Sequence, residues 1–468
     1  MIFSSLLFIY LFLPLTIVIY YLSPRKIRNT IILIMSLIFY GFGEPIYIFL
    51  MICSILIEYL GAMLINKNRR NKDKSKFIFI TVLVINISML VFFKYYGFII
   101  DNINAIFRTN LRMKTLPLPL GISFYTFKLI SYLVDVYNNK VKVQKNIISF
   151  GAYIAMFPQL ISGPIVQYSV IEKELNNRKE IISKFGLGIE QFIIGLGKKV
   201  LIANNIGLLW SEVKALPSSE LSILTAWIGI IAFTLQIYYD FSGYSDMAIG
   251  LGKMLGFTSI ENFNYPYISS SITEFWRRWH ISLSSWFRDY IYIPLGGNRR
   301  GMAIQIRNIF IVWFTTGLWH GASWNFIIWG LYFGVVIFIE KIFLLKILKK
   351  LPKIVGNIYT MLLVIISWVF FDIDSLKGAL SYIGVMLGRS QNVIYDNLSM
   401  YLLNTNLVII VIAIIGATPV VKNIINFLKI RLKIPGIIIV VIFCSLILII
   451  STAYLVNESY SPFLYFKF

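Results

Sequence analysis

Apolar runs long enough to cross a bilayer recur along the whole chain, and they constrain its fold more than any other feature. Residues 3–22, 77–93, 221–237, 361–371 with their flanks, and 437–455 are examples. A helical span needs about 20 predominantly apolar residues. Hydrocarbon offers no water to backbone N–H and C=O groups, so each run has to satisfy its own hydrogen bonds. A run of this length does so as an α-helix. Apolar residues fill 58% of the 468 positions, above the usual globular share. The expectation is an all-α polytopic membrane protein with roughly 10 to 12 transmembrane or re-entrant helices. No stretch reads as a separate soluble domain, so residues 1–468 form one integral membrane domain. The first run lacks a basic leader and a small-residue cleavage site, which makes it the first transmembrane helix rather than a signal peptide.

A formal charge of +22 raises the question of nucleic acid. Its distribution answers against that partner. Basic residues gather in short connections: Arg25, Lys26 and Arg28; Lys67 to Lys76; Lys341 to Lys353; Lys422 to Lys433. This is the positive-inside pattern of a multi-pass membrane protein, and it favours anionic lipid headgroups. Placing these connections in the cytoplasm puts both termini outside, including a tail at 457–468. Cys53 and Cys444 both lie in apolar segments, and two cysteines make no zinc site by themselves. No metal-ligand spacing, nucleotide loop or Gly-x-Ser-x-Gly elbow occurs, so no metal is expected and a serine hydrolase has no support.

Residues 236–300 are more polar and aromatic than their surroundings. Asp240, Tyr244 and Asp246 interrupt a segment of apolar and small residues. Buried carboxylates need partners, and Arg277, Arg278 and Arg288 are the nearest candidates by composition. Such a network either fixes helix packing or lines a polar path for substrate. The spacing of Trp276, Trp279, His280, Leu283 and Phe287 predicts one amphipathic helix, at the interface or along a cavity. Its arginines suit phosphates and Trp276 can stack on a base; an aromatic-belt helix is the competing interpretation.

Only two histidines occur in the chain. His320 sits within a hydrophobic stretch, where an ionisable group is costly and marks a functional site by default. Imidazole is also the side chain best suited to take a proton near neutral pH. Against this stands a neutral core histidine bonded to a carbonyl. Small neighbours, Gly317, Gly321, Ala322 and Ser323, allow a helix or ligand to approach closely. Trp319 and Asn325 beside it are further candidates for substrate or donor binding. His280 follows Trp-Arg-Arg-Trp and is expected nearer water.

These motifs resemble the membrane-bound O-acyltransferases (MBOAT), specifically the AlgI- and PatA-like branch that acetylates alginate and peptidoglycan, with the teichoic acid D-alanyl transferases (DltB) more distant. The resemblance rests on Tyr239-Asp-Phe-Ser-Gly-Tyr-Ser-Asp246 with its continuation to Gly252, and on Glu261-Asn-Phe-Asn264. It rests further on Phe275-Trp-Arg-Arg-Trp-His280 with its continuation to Tyr290, Ile293-Pro-Leu-Gly-Gly-Asn-Arg299 and Gly317-Leu-Trp-His-Gly-Ala-Ser-Trp324. Pro119-Leu-Gly-Ile-Ser-Phe-Tyr125 and Phe157-Pro-Gln-Leu-Ile-Ser-Gly-Pro164 belong to the same pattern. The core motifs cover 117–340, while the helices at 356–456 show only compatible hydrophobicity.

The resemblance implies a ring of helices around a central funnel that reaches His320 from the cytoplasm. It implies His320 as the catalytic residue and His280 as a second important one. It also implies acetyl transfer from acetyl-CoA, with no bound cofactor, for modification of an extracellular or cell-wall polysaccharide through a separate extracytoplasmic SGNH-type partner. The ending Phe463-Leu-Tyr465-Phe466 is similar to a tail whose tyrosine carries the acyl group transiently; an aromatic interfacial anchor is the alternative. D-alanyl transfer and a non-enzymatic transporter or scaffold are the other function classes that the sequence leaves open. The setting expected is a bacterial plasma membrane.

Overall fold

A computed structural model describes residues 1–112, 117–389 and 392–457. The regular elements among the described residues are all helices, without a β-strand. Among the described residues, eight helices are long and apolar enough to cross a membrane: Arg25–Gly43, Tyr47–Lys67, Lys72–Phe107, Ile182–Lys214, Ile223–Met254, Lys353–Asp372, Asn397–Gly416 and Ile434–Asn457. Two shorter apolar helices, Phe8–Leu22 and Leu376–Met386, accompany them. The apolar runs of the sequence match these helices to within a few residues at their ends, the first of them in Phe8–Leu22. The chain is therefore an all-α, multi-pass membrane protein.

The contacts divide into two compact units, one of Met1–Phe192 with Met247–Ile260, the other of Ile193–Asp246 with Glu261–Phe468. In the first unit, Tyr47–Lys67 and Lys72–Phe107 pack along each other, the second capped by Asn71, whose side chain accepts from the Lys74 amide. Asn86 donates to the buried carboxyl of Glu58 across the pair at 2.7 Å. Polar pairs of this kind are how helices inside a membrane satisfy side chains that hydrocarbon will not solvate. Nearer the chain start, Arg28 holds Glu180 at 2.6 Å.

The second unit carries both histidines. Ile182–Lys214 is interrupted by a π-helical turn at Lys198–Ala203, a wide turn of the kind that often marks functional positions. Opposite it on Ile223–Met254, Gly243 lets the backbones meet: a Cβ there would lie 2.8 Å from the Gly195 carbonyl oxygen and 3.1 Å from the Lys199 nitrogen. That contact sets Lys199 against Asp240 at 2.6 Å and Lys198 against Asp246 at 2.7 Å. The arginines expected to pair with these aspartates are engaged elsewhere. Arg278 pairs with Glu274 one helical turn away, Arg288 with its neighbour Asp289, and Arg277 is exposed. Two adjacent lysines upstream in sequence take the role instead.

A second long-range tie is made by Glu340. Its buried carboxyl accepts the amides of Ile272 at 2.6 Å and Thr273 at 2.8 Å, and the Thr273 hydroxyl at 2.6 Å. These are amides of the first turn of the Ile272–Arg278 helix, which has no intrahelical acceptors for them. The negative charge also faces the positive end of the helix dipole. Glu340→Ala is expected to destabilise the protein by about 1–3 kcal/mol, read as a lowered midpoint of thermal unfolding in detergent. Glu340→Gln, which keeps one acceptor oxygen, should lose less.

Candidate functional site

Two short helices and one long one bring the histidines together. The continuous amphipathic helix expected from Trp276 to Phe287 is broken in two, Ile272–Arg278 and Ile281–Phe287. The break falls at His280, whose φ of 42° puts it in the left-handed region that non-glycine residues rarely adopt. Residues 262–264 hold that turn by running beside it. Ile281 donates to the Asn262 carbonyl and Asn264 to the Arg278 carbonyl, each at 2.9 Å. Strain maintained by its surroundings is a feature of functional sites.

The turn swings the His280 imidazole inward while Arg277 stays exposed. His280 is 1% exposed and His320 is 3% exposed. The expectation that His280 lies nearer water is thus corrected: the charged neighbours leave for the surface, and the backbone reversal separates the ring from them. Phe241 meets its ring edge-to-face at 4.6 Å, and Phe263 lies at 6.5 Å. Burial holds the His280 pKa at about 3, far below the ordinary imidazole range, so the ring is neutral.

His320 is the last residue of the Met302–His320 helix. Its ring is caged by Trp319 at 4.9 Å, Trp329 at 4.9 Å and Phe371 at 5.3 Å, all edge-on, with Phe326 at 6.5 Å. The next helix, Trp324–Ile339, closes against Met302–His320 because both carry glycine at the crossing. A Cβ on Gly317 would collide with the Phe326 carbonyl, and one on Gly330 with the Trp313 carbonyl. Gly317 and Gly330 therefore serve helix approach. At the end of a helix, the partial negative charge of the last carbonyls stabilises the positive charge that an imidazole acquires as a base.

Trp319 joins the two histidines. Its ring centroid lies 6.0 Å from that of His280 and 4.9 Å from that of His320. The two imidazoles thus border one indole, among largely aromatic neighbours and away from solvent.

The other residues singled out by the sequence are placed differently. Trp276 packs against Trp313 at 4.8 Å, Phe333 at 4.9 Å and Trp329 at 5.7 Å, so it sits inside an aromatic cluster. Asn325 donates to the carbonyl of Ile373, tying its helix to the end of Lys353–Asp372. Tyr244 is buried. Arg277, Arg278 and Arg288 lie outside the aromatic cage. Tyr465 lies outside the described residues. Among the described residues no group of three or more His, Cys, Asp or Glu side chains could hold a metal ion.

Sequence reasoning missed Asn262, Lys198, Lys199, Glu340 and Phe371. The lysines carried a usable signal: two adjacent cations inside an apolar run require counter-charges. Phe371 carried none, since one phenylalanine among many in a late apolar helix gives no hint of its neighbour.

The model of the membrane-bound O-acyltransferase family matches residues 141–382, which include both histidines and Trp319. A probable alginate O-acetylase of Azotobacter vinelandii is 40% identical over 383 residues, covering 81% of this chain and 76% of that protein. The peptidoglycan O-acetyltransferase of Helicobacter pylori is 34% identical over 423 residues, covering 83% and 80%. The teichoic acid D-alanyltransferase of Bacillus subtilis is 31% identical over 258 residues, covering 53% and 65%.

Proposed function

The chain belongs to the membrane-bound O-acyltransferase family, and on that footing we propose that it moves acetyl groups from cytoplasmic acetyl-CoA across the membrane for O-acetylation of a secreted or cell-wall polysaccharide. The observation that carries this reading is the buried pairing of His320 and His280 about Trp319. The relatives named for acetylating a polysaccharide cover over four-fifths of this chain, the D-alanyl relative about half. That coverage favours acetyl over D-alanyl as the cargo.

His320 is the general base. It takes the proton of an acceptor hydroxyl, whose oxygen forms a new bond to the thioester carbonyl carbon. The carbon–sulfur bond breaks, and the imidazolium returns the proton to the thiolate of CoA. Tyr465 is the first acceptor, and a separate extracytoplasmic SGNH-type transferase moves acetyl onward to the polymer. Both termini lie outside a bacterial plasma membrane, as the basic cytoplasmic connections favour. Basic side chains at the cytoplasmic mouth receive the CoA phosphates.

Purified protein incubated with radiolabelled acetyl-CoA is expected to become labelled, and Tyr465→Phe to remain unlabelled. Label retained by Tyr465→Phe would place the acceptor elsewhere. An unlabelled wild type that also fails to transfer to added SGNH partner would overturn acetyl-CoA as donor.

A further inference from the structure

Asn262 belongs to the Glu261-Asn-Phe-Asn264 motif, which the mechanism above leaves unused. One side-chain oxygen of this residue faces three groups. The Ser282 amide lies 3.1 Å from Asn262 Oδ1, the Ser282 hydroxyl 2.9 Å and His280 Nδ1 3.2 Å. A peptide N–H can only donate, so the atom receiving Ser282 has to be the amide oxygen and not the nitrogen. An amide oxygen can only accept. His280 Nδ1 therefore bears the hydrogen. A neutral imidazole carries one N–H, which leaves Nε2 with a lone pair.

That lone pair is buried and meets no hydrogen-bond partner among the described residues. Its ring is bordered by Phe241, Phe263 and Trp319, which offer it aromatic faces and edges. A buried acceptor without a donor is costly. The strained backbone at His280 and the 262–264 segment beside it hold the ring in this arrangement.

We propose that Asn262 fixes His280 as the Nδ1–H tautomer, so that Nε2 accepts a hydrogen bond from an N–H or O–H group of the bound substrate. Asn262 is then a positioning residue for acyl transfer, and His280 orients substrate while His320 handles the proton. The inference rests on the acyltransfer reading for its substrate, but the tautomer itself can be read without turnover.

With two histidines in the chain, ¹⁵N-histidine labelling gives two imidazoles, and His320→Gln leaves only His280. Nitrogen NMR of that variant in detergent should show a protonated Nδ1 and an unprotonated Nε2. Adding Asn262→Ala should shift the ring toward a tautomer mixture, while Asn262→Asp, still an acceptor, should keep Nδ1–H. In the protein with His320 intact, Asn262→Ala should lower kcat by on the order of tenfold or more with little change in KM, and Asn262→Asp should restore most of it. A hydrogen on Nε2 in the Asn262-containing protein would overturn the proposal. So would an Asn262→Ala protein with unchanged nitrogen signals and kcat. The expected tautomer in the His320→Gln protein, together with no acetyl transfer by the protein with His320 intact, would support the Asn262–His280 relation and count against acetyl transfer alone.

Discussion

His320→Gln is expected to lower acyl transfer by a factor of about 10²–10⁴ while leaving the protein folded. Glutamine approximates the volume of imidazole and fills the space between Trp319, Trp329 and Phe371, so the cage stays packed. What it cannot do is accept a proton at neutral pH. The measurement is a rate of label transfer from radiolabelled acetyl-CoA, taken beside the thermal unfolding midpoint in detergent. A large fall in rate with an unchanged midpoint assigns proton transfer to His320. Activity retained within a few-fold would remove it from the mechanism. Equal losses of rate and stability would make it a core side chain.

The second large effect concerns stability. Lys199 and Asp240 are each 2% exposed in their side chains and 2.6 Å apart. Removing one member of a buried ion pair costs about 3–5 kcal/mol. Lys199→Met and Asp240→Leu should therefore each reduce the yield and thermal stability of monodisperse protein sharply. The double variant should recover much of the loss, since two apolar side chains replace a pair that was itself expensive to bury. Recovery, measured as a coupling between the two sites, would identify the pair as a packing device. A double variant that is as stable as wild type but inactive would instead place these charges in the path of substrate. The Lys198–Asp246 pair is more accessible, with both side chains 23% exposed, and its loss should cost less.

What the sequence conveyed depended on distance along the chain. Spans such as Tyr47–Lys67 and Ile434–Asn457 were legible because a helix in hydrocarbon must be apolar along its own length. His320 was legible because one ionisable side chain in such a run stands out. The partners of Asp240 and Asp246 were not, because charge attraction follows space and not sequence. Composition offers Arg277, Arg278 and Arg288 as partners, and only the close approach at Gly243 shows that Lys198 and Lys199 take that role. The break at His280 was hidden for a different reason. Apolar spacing reports which side chains are buried, and a left-handed residue between two short helices can bury the same set as one continuous helix. The signal for the break lay in Asn262 and Asn264, whose backbone bonds hold the turn from another part of the chain.

The carboxyl of Glu340 ties back to Ile272, 68 residues earlier, and both histidines fall between these two points. Topologically this is a lariat closed by hydrogen bonds. The segment that carries both histidines is thus cinched at its base, and thermal opening of one end has to release the other. Amide exchange at Ile272 and Thr273 should then track exchange in the Met302–His320 helix, making the two histidines leave and regain their places as a single cooperative event.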